Sequence, residues 1–370
     1  MSTPVANVEE VRDLAAVAAD VERLMLAGEA SDFQSGLDWY RLLSNSALPE
    51  PAAASLWVVR KEGVPVVGLP VRRSADKFGC EVLSLGNYYT SRFAPAISAG
   101  ADANDLASLF HTMRKQRPRA RAFLLSPMDP DSREYLLTRA GLKAAGLAVF
   151  PYFCFGNWYL PLTAGASSAD QYLAARPGEV RSTLRRMSKR FGTDGGRIEL
   201  ILDEPGVERA IAAYTAVYAA SWKVPEPHPD FMPGLIRLCA RRGWLRLGIA
   251  WLKEQPIAAQ LWIVNEGRAC VYKLAYDSQF ARYSPGSLLT ASLIRQVIEV
   301  DRVHEVDYLT GDDAYKQDWM THRRERWGLV AYDPSSPAGA LLLTRELSAS
   351  LSRPLITQVR SWAGKLIPHR

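Results

Sequence analysis

The stretch "ARYSPGSLLTASLIRQV", residues 281–297, follows an apolar strand candidate at 269–276 and opens a helix with Ser-Pro-Gly-Ser. With Ser284 as N-cap, Pro285 falls at the first helical position, where a missing N–H has no intrahelical partner to lose. Gly286, Ser287 and Leu288 keep their N–H groups, and Gly286 presents no side chain to an incoming group. Downstream, Leu289, Leu293 and Val297 form an apolar stripe that Ile294 and Ile298 widen, which seats the helix on a sheet. A free amide end of this kind holds phosphate. It also simply starts a helix. The rest of the chain has to decide between the two.

Working outward, "WLRLGIAWLKEQPIAAQLWIV" (244–264) reads as a hairpin turning at Lys253-Glu254, with "ACVYKLAY" (269–276) as a third strand. The helix at 286–300 is followed by a strand "EVDYLT", a short helix near 312–320 and a closing strand "RWGLVAY". The first half has the same order. "SLWVVRKEGVPVVGLPV" (55–71) turns at Lys61-Glu62, "CEVLSLGNYY" (80–89) is a strand, and 103–117 is a helix. "RAFLLS" is a strand, 130–140 a helix, and "LAVFPYFCFGNWYL" a long strand. Apolar spacing predicts further helices at 8–27 and 34–44. Repeated order of this kind marks a duplication. Two α/β domains of one architecture follow, with 1–160 and 161–335 as units and 336–370 as an amphipathic helical tail broken at Pro354.

Composition sets the bounds. The chain has 370 residues, 48% of them hydrophobic and 23% charged, as in soluble globular proteins. The net charge of +6 is too mild an excess to argue for nucleic acid by itself. The first residues lack a basic segment followed by an apolar run, and no segment reaches the roughly 18 apolar residues of a membrane span. Cys80, Cys154, Cys239 and Cys270 lie far apart, which reads as reduced thiols in a cytoplasmic protein. Five scattered histidines give no metal motif.

Between the halves, "AARPGEVRSTLRRMSKRFGTDGGR" (174–197) carries a helix with Arg181, Arg185 and Lys189 on one face and Arg186 and Arg190 beside it. This is either a solvated face or a lining that recruits an acidic group. Further on, "DYLTGDDAYKQDW" (307–319) releases Asp312, Asp313 and Tyr315 at the end of a strand. Asp312 and Asp313 suit a helix N-terminus by charge alone. They equally suit proton transfer. Asp277 reads as a turn residue or a second base. Aromatics including Trp222 flank "KVPEPHPDF" (223–231), which forms either an acceptor wall or a packed connection.

Strand, phosphate-type loop, helix and strand in a duplicated unit resemble the GCN5-related N-acetyltransferase (GNAT) superfamily. "YDSQFARYSPGSLLTASLIRQVIE" followed by "EVDYLTGDDAYKQDW" looks like its cellulose-biosynthesis acetyltransferase branch (CelD/BcsL type), which resembles the Fem peptidyltransferases in having two such domains. The resemblance implies tandem GNAT-like domains, each a mixed, mostly antiparallel twisted sheet flanked by helices. The first domain would be a degenerate copy, with "GNYYTSRFAPAIS" (86–98) shaping a cleft. It implies acetyl-CoA or another acyl-CoA as co-substrate, held by Tyr276, Arg282, Tyr283, Ser284, Gly286, Ser287 and Leu288, with no metal. Asp312 would be the base, Tyr315 the acid, and Lys316 a holder of phosphates or of an acidic acceptor. Arg185, Arg186 and Trp222 would border a small-molecule or glycan acceptor. Aminoacyl transfer from charged tRNA is the enzymatic alternative and the one case that brings in nucleic acid. A non-catalytic acyl-CoA-binding protein of an envelope-polysaccharide pathway is the other. The tail is expected to dock on the protein, with weak membrane-surface contact left open.

Overall fold

In the computed structural model, which describes residues 7–48, 54–163 and 168–348, the chain opens with a strand, β1 (Asn7–Val11), where the spacing predicts helix. These residues pair antiparallel with β2 (Ala54–Lys61), Val8 opposite Val59 and Val11 opposite Leu56. Pairing to a hairpin edge overrides a weak helical preference, and helix begins later as α1 (Ala19–Glu29), followed by α2 (Leu37–Ser46). β2 turns into β3 (Val64–Asp76) at Glu62-Gly63 rather than Lys61-Glu62, both with positive φ, 51° and 82°. That mirror-image turn matches the twist of the strands it joins.

The first half continues with β4 (Gly79–Ser84), β5 (Ala96–Ile97), α3 (Ala103–Lys115), β6 (Ala120–Met128), α4 (Arg133–Ala144) and β7 (Ala148–Pro161). The second half adds α5 (Ala169–Ala174), α6 (Gly178–Thr193), β8 (Gly196–Ile201), α7 (Val207–Ala220) and α8 (Phe231–Arg241). Then come β9 (Leu245–Leu252), β10 (Gln255–Asn265), β11 (Arg268–Tyr276) and α9 (Pro285–Arg295). The chain closes through β12 (Glu305–Asp307), α10 (Lys316–Trp319) and β13 (His322–Tyr332). A helix at 337–348 follows. The remainder of the tail, including Pro354, lies outside the described residues.

All the strands join one mixed sheet in the order β1-β2-β3-β4-β6-β13-β7-β12-β11-β10-β9-β8, with β5 beside β3. Helices flank it. The centre of the order is interleaved: β13, last in the chain, lies between β6 and β7 of the first half, and β7 reaches across to β12 of the second. Buried charges hold this seam. Arg324 donates to Glu305 and Asp307, the Asn157 amide donates to Asp307 at 2.6 Å, and Arg326 pairs with Asp129 at 2.8 Å. A shared apolar core runs across the halves as well. Trp39 meets Phe231 edge-on at 5.6 Å, and Tyr89 stacks on Phe231 at 4.0 Å.

Parallel pairing occurs only at β4/β6 and β11/β12 among the described strands, and the second pair makes the site. β12 pairs with β11 from Glu305 to Asp307 and stops, although the spacing predicts strand through Thr310. The Asp307 carboxylate accepts the Leu309 N–H at 2.6 Å, and Leu309 takes φ 54°, so the chain turns away. β11 runs on to Tyr276. A wedge therefore opens between the two strands. The helix expected over 312–320 shortens to α10, and the one expected over 286–300 divides into α9 and a π-helical turn at Gln296–Val300.

Candidate active site

α9 starts at the mouth of this wedge. Ser284 is its N-cap, in a left-handed conformation (φ 47°), and Pro285 occupies the first position. Gly286 and Ser287 offer N–H groups that no turn of the helix can use. Leu288 does not, contrary to the sequence expectation: its N–H bonds Ser284 O at 3.2 Å, and its side chain is core. The first turn is braced from beneath by Gln260 of β10. Its amide donates to Gly286 O at 2.8 Å and to Thr290 Oγ1 at 3.0 Å, while its oxygen accepts from Trp262 Nε1 at 3.0 Å.

A cavity of about 480 Å³ lies over this helix end, lined among others by Trp222, Gln260, Tyr276, Ser284, Gly286, Ser287, Tyr308 and Tyr315. α6 supplies a wall through Glu179, Val180 and Thr183. Trp222 lies 4.5 Å from Tyr276, ring to ring, so it borders this cavity. A second cavity, of about 240 Å³, adjoins the first and shares Leu274, Tyr308 and Tyr315 with it. Tyr88, Tyr89 and Ser91 from the first half line it with Lys223, Lys273, Asp313 and Lys316 from the second. The loop at 86–98 thus walls a cleft.

Tyr315 stands where the two cavities meet. Burial and the nearby Asp313 push its phenol up to about 12, so it keeps its proton at neutral pH. Lys316 is buried at 4% exposure, and its ammonium is engaged by Thr310 O, Gly311 O and Asp313, which makes it a clamp on the 310–316 turn. Burial lowers its pKa against those partners. Asp312 lines neither cavity. It is bound by Arg323 at 2.7 Å and by Trp158 Nε1 at 2.7 Å, and the hydrogen bonds from Arg323 hold its carboxyl below the usual range.

Other expected residues also lie apart. Tyr283 is buried, its hydroxyl donating to Asp194 at 2.7 Å, and Arg282 lies over its ring. Arg185 and Arg186 are exposed on α6 and line neither cavity. Asp277 caps the 3-10 turn Ser278–Tyr283 by accepting the Gln279 N–H, which is a turn role.

Sequence reading missed Gln260, whose signal is a lone amide in the buried run Ile257–Ile263. It also missed Glu226, which accepts from Tyr88, Tyr89 and Lys273 at 2.9, 2.7 and 3.0 Å. Burial raises that carboxyl, yet hydrogen bonds from Tyr89, Lys273 and Tyr218 and the charge of Lys273 hold it below its ordinary value. Among the described residues, no metal-ligating cluster forms and no helix is long and apolar enough to cross a membrane.

Residues 178–317, from α6 to the start of α10, match the model of the Acetyltransferase (GNAT) domain. The chain carries a GNAT acetyltransferase domain. That domain contains α9, the Gln260 brace and Tyr315, and it supports assignment as an acyltransferase. Among curated proteins none matches the chain in sequence. The solved structure of FemX superposes with TM-score 0.62 at 12% identity, covering 90% of this chain and 99% of that one. A conserved protein of unknown function from Bacteroides thetaiotaomicron VPI-5482 does so with TM-score 0.54 at 9% identity, over 87% and 98% of the two chains. A tandem GNAT protein from the clavulanic acid biosynthesis pathway gives 0.48 at 14%, over 89% and 100%. At these identities the first two likenesses are of fold.

Proposed function

We propose that the GNAT domain transfers an acyl group, acetyl in the simplest case, from acyl-CoA to an amine or hydroxyl acceptor by direct attack. The observation that carries this is the unblocked end of α9 facing the larger cavity, with Gly286 and Ser287 amides free for a pyrophosphate. The donor's pantetheine arm would run between β11 and the 308–311 turn toward Tyr315. The acceptor would enter through the smaller cavity. Its nucleophile attacks the thioester carbonyl, the tetrahedral adduct collapses, and the C–S bond breaks. Tyr315 donates to the departing thiolate, as general acid catalysis requires. Asp313, which lines the acceptor cavity where Asp312 does not, takes the nucleophile's proton through water.

In this scheme residues 161–335 form the catalytic unit and 1–160 the far wall of the acceptor cleft. The resemblance of 276–319 to cellulose-biosynthesis acetyltransferases makes a polysaccharide precursor one acceptor class, and cytoplasmic acyl-CoA the donor pool. The test is release of free thiol from acetyl-CoA by the purified chain, across a panel of amines and sugars. Acceptor-dependent release supports transfer. CoA binding without turnover on any acceptor would leave a binding module.

A second reading, transfer from aminoacyl-tRNA, draws on one observation. Arg181, Arg185, Arg186 and Lys189 of α6 have no carboxylate within 4.0 Å among the described residues. RNA binding that falls steeply with salt and ignores CoA would favour it.

A further inference from the structure

Three lysines converge on the smaller cavity: Lys223 from the loop after α7, Lys273 from β11 and Lys316 from α10. Two are matched. Lys273 bonds Glu226 at 3.0 Å and lies 4.5 Å over the Tyr88 ring and 5.3 Å from that of Tyr89. Lys316 holds Asp313 and two carbonyl oxygens. Lys223 has no carboxylate within 4.0 Å among the described residues, and no hydrogen bond from its ammonium joins it to them. It is only partly exposed. Burial and the neighbouring ammonium of Lys273 bring its pKa down to about 8, against the attraction of Glu226 and Asp313.

A partly buried ammonium without a counter-ion costs free energy, and such groups in folded proteins call for a partner. Here the partner has a place to sit. The cavity is open beside Lys223, and because the Tyr88 hydroxyl in its lining already donates to Glu226 and that of Ser91 to Gln34, the ammonium of Lys223 is the donor that an anion there would meet.

We propose that this cavity is an anion subsite and that the acceptor carries a carboxylate or phosphate that pairs with Lys223. The inference rests on the acyltransferase reading, because it names the acceptor's chemistry. Acceptors would be amines or hydroxyl compounds whose nucleophile is separated from the anionic group by the short span from Lys223 to Tyr315. An uncharged analogue of the same shape would be a poor substrate. Lys273, neutralised by Glu226, orients the phenols rather than the ligand.

The experiment is calorimetric titration of inorganic phosphate and of succinate into the full chain saturated with CoA, so that the α9 end is already filled. Wild type, Lys223→Met and Lys223→Arg are compared. At least one probe anion should bind wild type, and Lys223→Met should weaken it about tenfold or more, the worth of one charge-assisted contact. Lys223→Arg should retain it. Phosphate alone binding points to a phosphorylated acceptor, succinate alone to a carboxylate. No anion bound to wild type, or equal binding to Lys223→Met, overturns the proposal. Parallel titrations without CoA separate the two readings. Loss of the donor reading would show as absent CoA binding, while Lys223-dependent anion binding would persist.

Discussion

Replacing Gln260 by leucine tests whether the α9 end is braced from β10. The amide makes bonds to Gly286 O, Thr290 Oγ1 and Trp262 Nε1, and Gln260 is 1% exposed. Leucine fills nearly the same volume, so no large cavity opens. What is lost is the donor to Gly286 O and Thr290 Oγ1 on α9, together with the acceptor of Trp262 Nε1, in a side chain that is 0% exposed. An orphaned buried donor costs about 1–3 kcal/mol. The added apolar group offsets part of that, so Gln260→Leu should lower stability by about 1–2 kcal/mol in urea unfolding. Thr290→Val removes the partner on α9 itself. The double variant should therefore lose less than the sum of the single ones, by about 1 kcal/mol. A fully additive double variant, or a Gln260→Leu protein as stable as wild type, would refute the brace.

The seam between the halves should be acid-labile. Burial raises the Asp307 carboxyl, but Arg324, Arg326, the Asn157 amide and the Leu309 N–H together hold it below its ordinary value. Its contribution is therefore fully present above the unfolded carboxylate value of about 3.9 and is lost as pH falls through the folded value. Arg324→Met should cost about 3 kcal/mol, because Asp307 stays buried without the one cation hydrogen-bonded to it and keeps only the more distant charge of Arg326; an unchanged acid transition in this variant would count against the seam. In the reaction, Tyr315→Phe should lower kcat about a hundredfold while CoA affinity holds. Asp313→Asn should lower kcat and Asp312→Asn should not, and steady-state kinetics that reverse this order would move the base to Asp312.

Much of this architecture was legible in the sequence because it is local. The two hairpins, the α9 start and its apolar stripe all follow from spacing, capping and turn residues over a few positions. The interleaving of β7 and β13 was not. Both are long strands, β7 largely apolar and β13 opening on the charged run His322–Arg326, and nothing within either says which neighbour it takes. The larger cavity was half legible. Ser284, Gly286 and Ser287 lie on it as their position at a helix start implies, but Gln260 acts across from another strand. The smaller cavity was least legible, since it is assembled from four separate segments around residues 88–91, 223, 271–274 and 308–316. Asp312 and Asp313 are adjacent, and the left-handed turns at Leu309 and Gly311, with Arg323 and Trp158 holding Asp312, leave Asp313 on the cavity.

Calorimetric titration with CoA and acetyl-CoA of the wild type and Gly286→Glu tests the donor site most directly. A Cβ at Gly286 meets nothing nearer than Tyr276 Cδ1 at 3.8 Å, an ordinary contact, so the backbone there accepts a side chain that extends into the cavity mouth. A carboxylate about 5 Å from the pyrophosphate repels it by about 3 kcal/mol per charge at an effective dielectric of about 20, or roughly a hundredfold in affinity. Wild type should bind both ligands and Gly286→Glu neither. Equal binding by the variant, or no binding by wild type at millimolar CoA, would contradict an acyl-CoA site at the end of α9.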